Sequence, residues 1–356
     1  MPQTRVGIKD VAAAAGVSPT TVSHVLNGVD GVRVADETRT RVRDAADQLR
    51  YSPSRIARSL RLQRTHTIGL LSDHIAATPF AGEIILGAQT VAADRHVNLV
   101  LFDTGGNSDV EAEAIRTLHD FRADGVLYAR MYHQELRPPA ALAGLPTVLL
   151  DAWSPDGAYP GVVPDETGGA RAAIAELTAL GHTRIGYLNN RDDIPATRGR
   201  LLGYHEALEA AGIRYDPALV LTEDSVSAGG YRAARTLLTR TQRPTALFCF
   251  NDRMAMGAYR AAAETGLRIP RDLSIVSFDN QVLIAEGLYP ALSTVALPHR
   301  DMGAWAATTL LDLIDGASGP AATQTAPTVL ACPLVRRDST GPAPITQQED
   351  TDHAAI

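Results

Sequence analysis

Apolar residues recur in two textures along the chain. From position 8 to about 50 they follow short helical patterns, and from Thr67 they form brief runs alternating with longer amphipathic stretches. Ile8-Lys9-Asp10-Val11-Ala12-Ala13-Ala14-Ala15 predicts a helix that Gly16 stops. Ser18 has the side chain of an N-cap, and Pro19 stands at N1, where a missing N–H costs nothing. That second helix runs to about Leu26, before Asn27-Gly28. Asp36-Glu37 open a third, with an apolar face of Val42, Ala45, Ala46 and Leu49. Only Gly16 and Val17 separate the first two helices, the tight joint of a helix-turn-helix, with Val11, Ala15, Val17, Val22 and Val25 as its small core. Tyr51-Ser52-Pro53 ends the third helix. Residues 54–60 predict one more, too short to hold by itself and expected to fold against a partner.

Beyond Thr67, strands are predicted at 68–72, 98–102, 125–129 and 147–150, and in a second series at 184–188, 219–221, 246–249, 273–278 and 293–296. Helical stretches at 81–94, 110–121, 168–180, 200–211, 227–238, 254–265 and 300–315 lie between them. Short apolar strands joined by crossover helices argue for two parallel α/β sheets. The first series ends near Pro164 and the second begins with Asp165-Glu166. The tail 339–356, rich in Gly, Pro, Gln and Asp, reads as disordered and carries no leucine heptads for a coiled coil.

A chain of 356 residues exceeds one ordinary core, so two or three domains are expected. Its net charge of −7 conceals a division: residues 1–64 carry 11 Lys or Arg against 6 Asp or Glu, while the remainder carries 22 against 34. A basic head on an acidic body suits a protein that presents one end to a polyanion, although Arg-rich helices can equally be a solvated face. With no apolar run of 18 residues and no apolar segment near the start, neither a membrane span nor a signal peptide is expected. Cys249 and Cys332 sit beside apolar residues and read as buried thiols in a reducing cytoplasm.

A series of motifs runs along the chain, beginning with Ile8-Lys9-Asp10-Val11-Ala12, Gly16-Val17-Ser18 and Thr21-Val22-Ser23-His24-Val25-Leu26-Asn27-Gly28. It continues through Tyr51-Ser52-Pro53-Ser54, Ala57-Arg58-Ser59-Leu60, Thr67-Ile68-Gly69-Leu70 and Gly181-His182-Thr183-Arg184-Ile185. Asn251-Asp252-Arg253-Met254-Ala255-Met256-Gly257, Asp272 to Asp279 and Pro290-Ala291-Leu292-Ser293-Thr294-Val295 complete it, in order, over roughly residues 5 to 338. Together these blocks resemble the lactose/galactose-repressor (LacI/GalR) family of transcriptional regulators. The resemblance implies an all-α helix-turn-helix head (1–50), a hinge with a DNA-induced helix (51–65), and a periplasmic-binding-protein-like α/β core of two lobes (66–338). The chain would cross between the lobes three times, lobe one being about 66–164 and 297–323, and lobe two about 165–294 and 324–338. It further implies a cytoplasmic, nucleoid-associated homodimer on a palindromic DNA operator, repressing carbohydrate-utilisation genes under a sugar or sugar-derivative effector.

Carried over by position, Pro19, Thr20 and His24 would read bases in the major groove, with Thr21, Ser23 and Asn27 nearer phosphates. Many relatives have arginine where His24 stands. Histidine offers a guanine edge one donor where arginine offers two, so a changed half-site is expected. The loop 28–34 is about two residues longer than in lactose-type members. Arg55, Ala57, Arg58 and Leu60 resemble the hinge that folds in the minor groove, with Leu60 wedged into the central step.

An open α/β lobe binds ligands at the carboxyl ends of its strands, where Asp73, Asp103, Asp151, Asn189, Asn251 and Asp279 are expected. The effector site implied by the resemblance comprises Asp73, Phe80, Asp151, Arg200, Asn251 and Asp279. Carboxylates, an amide and a forked arginine suit hydroxyls that both donate and accept, which favours a sugar. Leu297 and Ser225 replace a glutamine and an aromatic of the lactose-type pattern, so the pocket is expected to be differently lined and a purine or nucleoside stays open. No catalytic function, metal or cofactor is expected. Asp103-Thr104-Gly105 lacks a second matching aspartate motif, no GxGxxG, P-loop, HExxH or GxSxG occurs, and the 10 histidines show no ligand spacing. A transport-type sugar-binding module is the competing reading, and the head counts against it.

Overall fold

A computed structural model describes residues 6–26, 33–51, 64–75, 81–317 and 326–344. The chain divides into two compact units, residues 1–66 and 67–356. In the first, α1 (Ile8–Ala15), α2 (Pro19–Leu26) and α3 (Asp36–Gln48) enclose a core of Val11, Ala12, Ala15, Val22, Val25, Val42, Ala45 and Ala46, with Val17 and Leu49 at its margin. Gly16 ends α1 at φ 65°, a left-handed conformation open to glycine. Ser18 Oγ accepts the Thr21 N–H at 3.1 Å, the N-cap bond that starts α2. The expected 54–60 hinge helix lies outside the described residues.

The second unit holds two six-stranded sheets. Lobe one is built on β1 (Thr67–Ser72), β2 (Asn98–Asp103), β3 (Gly125–Glu135), β4 (Thr147–Trp153) and β5 (Gly161–Pro164), with β11 (Thr328–Leu330) returning to its edge in the order β11-β5-β4-β3-β1-β2. Its helices are α4 (Ala81–Asp94), α5 (Ser108–Asp120) and the late α11 (His299–Ile314). α4 and α11 approach backbone to backbone: a Cβ on Gly87 would stand 2.0 Å from the Arg300 carbonyl oxygen, and one on Gly303 2.1 Å from that of Ile84.

Lobe two is built on β6 (Ile185–Asn190), β7 (Val220–Glu223), β8 (Ala246–Cys249), β9 (Ser274–Asp279), β10 (Ser293–Ala296) and β12 (Leu334–Val335), in the order β12-β10-β9-β8-β6-β7. α6 (Glu166–Ala179), α7 (Pro195–Ala210), α8 (Ser227–Leu238), α9 (Asp252–Glu264) and the short α10 (Val282–Ala285) cover it. One core of mostly Ala, Leu, Ile and Phe side chains fills this lobe and includes Cys249 and Cys332, both free thiols. Among the described residues no helix is long and apolar enough to cross a membrane.

Four sequence expectations are corrected. The second sheet is not wholly parallel, because β12 pairs antiparallel with β10. The last crossing between lobes lies between Leu330 and Leu334 rather than near 323: Thr328–Leu330 pairs with β5 of lobe one, a three-residue strand too short to show periodicity. β3 runs past Ala129 to Glu135 through a register shift that breaks its alternation. The tail expected to be disordered from 339 is anchored through 343. Ser339 Oγ accepts the Ser293 N–H at 2.7 Å and donates to the Ile275 carbonyl at 2.6 Å, and the Ala343 N–H donates to Leu180 O at 2.8 Å. Composition signals disorder only where no partner groups wait, and here buried strand ends supply them.

Candidate functional site

In the head, α2 places Val22 and Val25 in the core, which turns Thr20, Ser23 and His24 away from it. Pro19 and Thr20 are exposed, whereas Thr21, Ser23 and His24 are half-buried. Part of Thr21 is spent locally, since its hydroxyl lies 2.9 Å from Ser18 Oγ. Asn27, Arg55, Ala57, Arg58 and Leu60 lie outside the described residues.

Between the two lobes of the second unit is a cavity of about 330 Å³. Lobe one contributes Met131, Tyr132 and His133 from β3 and Asp151 from β4; lobe two contributes Asn190 from β6, Arg200 from α7, and Phe250, Asn251, Arg253 and Asp279. The crossings add Pro164, Glu166, Leu297 and His299. Asp151, Arg200, Asn251 and Asp279 are therefore brought together. Asp73 is not among the described lining residues: its Oδ1 accepts from the Ser72 hydroxyl at 3.2 Å and the His74 N–H at 3.0 Å, and its carboxylate acts on Asp151 behind the wall. Phe80 lies outside the described residues.

The centre of the cavity is an ion cluster. Arg200, 3% exposed, lies between the rings of Phe250 and Phe278, its guanidinium carbon 4.4 and 3.8 Å from their centroids. Its Nε donates to Glu166 Oε2 at 2.6 Å and its Nη2 to Glu166 Oε1 at 3.3 Å, a bidentate pairing. Nη1 donates to the Phe250 carbonyl and lies 3.3 Å from Asp279 Oδ1. Burial opposes this charge, but Glu166 and Asp279 outweigh it and hold the guanidinium protonated. Asp279 is pushed up to about 6 by burial, with Arg200 pulling the other way.

Other groups face the cavity with capacity to spare. Asp151 holds φ 57° within β4, two residues before its end, is nearly fully buried, and its Oδ1 has no hydrogen-bond partner. Burial first, then the carboxylates of Glu166 and Asp73, raise its pKa well above the usual carboxylate range. Asn190 Oδ1 and Arg253 Nε are likewise buried without partners. Asn251 has less to offer: its Oδ1 caps α9 through the Met254 N–H at 2.8 Å and its Nδ2 donates to Ser225 O at 3.0 Å. His133 Nδ1 lies 3.8 Å from Glu166 Oε1, yet burial lowers its pKa, so this contact between lobes is polar rather than ionic near neutrality.

Sequence reasoning missed Glu166, Asn190, Arg253, His133 and His299. Glu166 follows the Asp165 N-cap and reads as an ordinary acidic residue of a first helical turn. Asn189 was expected at the strand end, but β6 runs to Asn190 and alternation turns the latter to the cavity, while Asn189 Oδ1 accepts the Asn190 N–H at 2.9 Å. His133 lies within the register shift in β3, between Ala129 and Gln134.

A three-helix head with an exposed α2 start and a two-lobed core around a polar cleft together define a DNA-binding transcriptional regulator with a periplasmic-binding-protein-like core. Residues 7–54 match the bacterial regulatory proteins of the lacI family, and residues 174–340 match the periplasmic binding protein-like domain. The HTH-type transcriptional repressor PurR of Vibrio atlanticus is 37% identical over 310 residues, covering 86% of this chain and 91% of that protein. Among solved structures, a lac repressor dimer bound to operator and the anti-inducer ONPF is 27% identical with a TM-score of 0.78, covering 95% of this chain and 100% of that one. A transcriptional regulator CelR-cellobiose complex is 33% identical with a TM-score of 0.65, covering 94% and 100%. The chain belongs to the lacI family of bacterial regulatory proteins.

Proposed function

We propose that this regulator is a repressor that binds a palindromic operator as a homodimer, and that an uncharged polyhydroxylated effector, a sugar or sugar derivative, sets its DNA affinity from the interlobe cavity. The observation that carries the effector reading is the set of buried atoms without partners: Asp151 Oδ1, Asn190 Oδ1 and Arg253 Nε. A buried polar atom left unpaired is costly, so a ligand that both donates and accepts is favoured there. Hydroxyls do both. Met131, Tyr132, Ile194 and Leu297 give the same cavity apolar wall for the C–H faces of a sugar ring. The cellobiose complex of a relative with this fold supports the same ligand class.

On the DNA side the readers are Pro19, Thr20 and His24, with Thr21, Ser23 and Asn27 toward phosphates. Arg55, Ala57, Arg58 and Leu60 form the minor-groove hinge. An effector that favours one interlobe angle shifts the population competent to bind operator. Calorimetric titration of the full chain with uncharged mono- and disaccharides and with purine bases tests the effector reading. Saturable binding of a saccharide that Asn190→Ala weakens at least about tenfold is expected, the loss of one hydrogen bond to a buried group. Binding of a purine alone would replace the sugar reading.

A further inference from the structure

The charged groups around the cavity restrict its effector more narrowly than hydroxyl recognition alone. Resting on the effector reading of this cavity, we propose that it accepts an uncharged polyol and excludes the phosphorylated form of the same sugar, and that Glu166 enforces the exclusion by occupying the guanidinium fork of Arg200.

A buried phosphate needs a net positive wall or a free fork of donors. Among the lining residues four carboxylates (Asp151, Glu166, Asp192 and Asp279) face two guanidiniums, Arg200 and Arg253. Even with Asp151 protonated, as its surroundings favour, the wall is not cationic. His133 and His299 add no charge near neutrality: burial lowers both, His299 to about 4.

Of the two lining guanidiniums, Arg253 keeps an unpartnered Nε, whereas the more deeply buried Arg200 is taken. Glu166 holds its Nε and Nη2 while Phe250 O and Asp279 engage Nη1, and the rings of Phe250 and Phe278 pack against it. Backbone amides offer no substitute. Asp165 Oδ1 fills the α6 cap through the Gly168 N–H at 2.8 Å, and Asn251 Oδ1 fills that of α9. α7 begins with Pro195, which has no N–H, next to Asp192 and Asp193. On Arg200 a phosphate would have to displace Glu166 and leave its carboxylate buried beside a second anion; on Arg253 it would meet Asp279, whose carboxylate that guanidinium already acts on, in a wall that is not cationic. A neutral sugar can bond to Asp151, Asn190 and Arg253 with the ion cluster undisturbed.

The test is a pair of dissociation constants for the full-length protein, measured by calorimetry with uncharged sugars and with their phosphate esters, for example ribose and ribose 5-phosphate or glucose and glucose 6-phosphate. The wild-type chain is expected to prefer the uncharged member by at least about a hundredfold, as like-charge juxtaposition in a desolvated site requires. Glu166→Gln should narrow that ratio by at least about tenfold, mainly by tightening the ester, with thermal unfolding followed to confirm the fold. Glu166→Asp, one methylene shorter and so set back from Nε and Nη2, keeps a carboxylate beside the buried arginine and should move the ratio the same way by less. Equal or tighter binding of the ester by the wild-type chain would overturn the exclusion while leaving the effector reading intact. A preference untouched in both folded variants would overturn the role of Glu166. If neither member of any pair binds, the effector reading itself fails, and the inference with it.

Discussion

Arg200 shows how much of the site rests on one side chain. It lies against two aromatic rings, two carboxylates and a backbone carbonyl, in a place water scarcely reaches. Removing it leaves Glu166 and Asp279 buried and facing one another uncompensated. Arg200→Ala should therefore lower unfolding stability by about 3–5 kcal/mol, read as a fall in the urea midpoint. Asp252 makes the complementary case. Fully buried, it accepts the Gln281 N–H at 2.6 Å and the Thr294 hydroxyl at 2.7 Å, and burial, then Asp279, raises it to about 7. Because its folded pKa lies above the unfolded value near 3.8, the folded state binds the extra proton. Its contribution is fully present below about pH 4 and is lost as pH rises through about 7. Asp279, pushed up to about 6, acts in the same direction. Asp252→Asn should flatten the decline in stability between pH 4 and 7, as followed by urea midpoints across that range; an unchanged slope would remove Asp252 from this account.

At the scale of elements, the packing of α4 on α11 is the most restrictive feature of lobe one. Gly87 and Gly303 each face a carbonyl oxygen of the opposite helix at a distance no Cβ can occupy. Gly303→Ala should push the helices apart and lower stability by about 1–3 kcal/mol, measured by thermal or urea unfolding. Neither glycine was singled out in the sequence, since a helical glycine has no signature separating close packing from simple tolerance. What was legible there follows the same logic. The three head helices emerge nearly to the residue because Gly16, Ser18, Pro19 and Asp36 mark their ends with local chemistry. The site was only half legible. Asp151, Arg200, Asn251 and Asp279 were found through motif position. Asn190, Glu166 and His133 depend on where a strand or helix ends and on which face alternation presents, and a shift of one residue reverses that face. Late strands such as β11 and β12 are set by partners far away in sequence, and three- and two-residue runs carry no period of their own.

At the scale of the whole molecule, two compact units serve two ligands in the proposed function. The head has the helix-turn-helix and the basic charge for DNA, and the acidic core has the cavity. Two lobes joined by three short crossings allow a ligand at their interface to favour one relative angle, since it touches both: Asp151 from one side, Asn190 and Arg253 from the other. Such control is a coupling free energy between sites and is reciprocal, so operator must change effector affinity by the same factor that effector changes operator affinity. The most direct test is the operator dissociation constant of the full chain, measured at fixed salt with and without saturating uncharged sugar. The account predicts a change of about 5- to 150-fold with the effective sugar, lost in Asn190→Ala and absent with its phosphate ester. An operator affinity that no uncharged sugar alters, but that a purine base or a phosphate ester does, would contradict it.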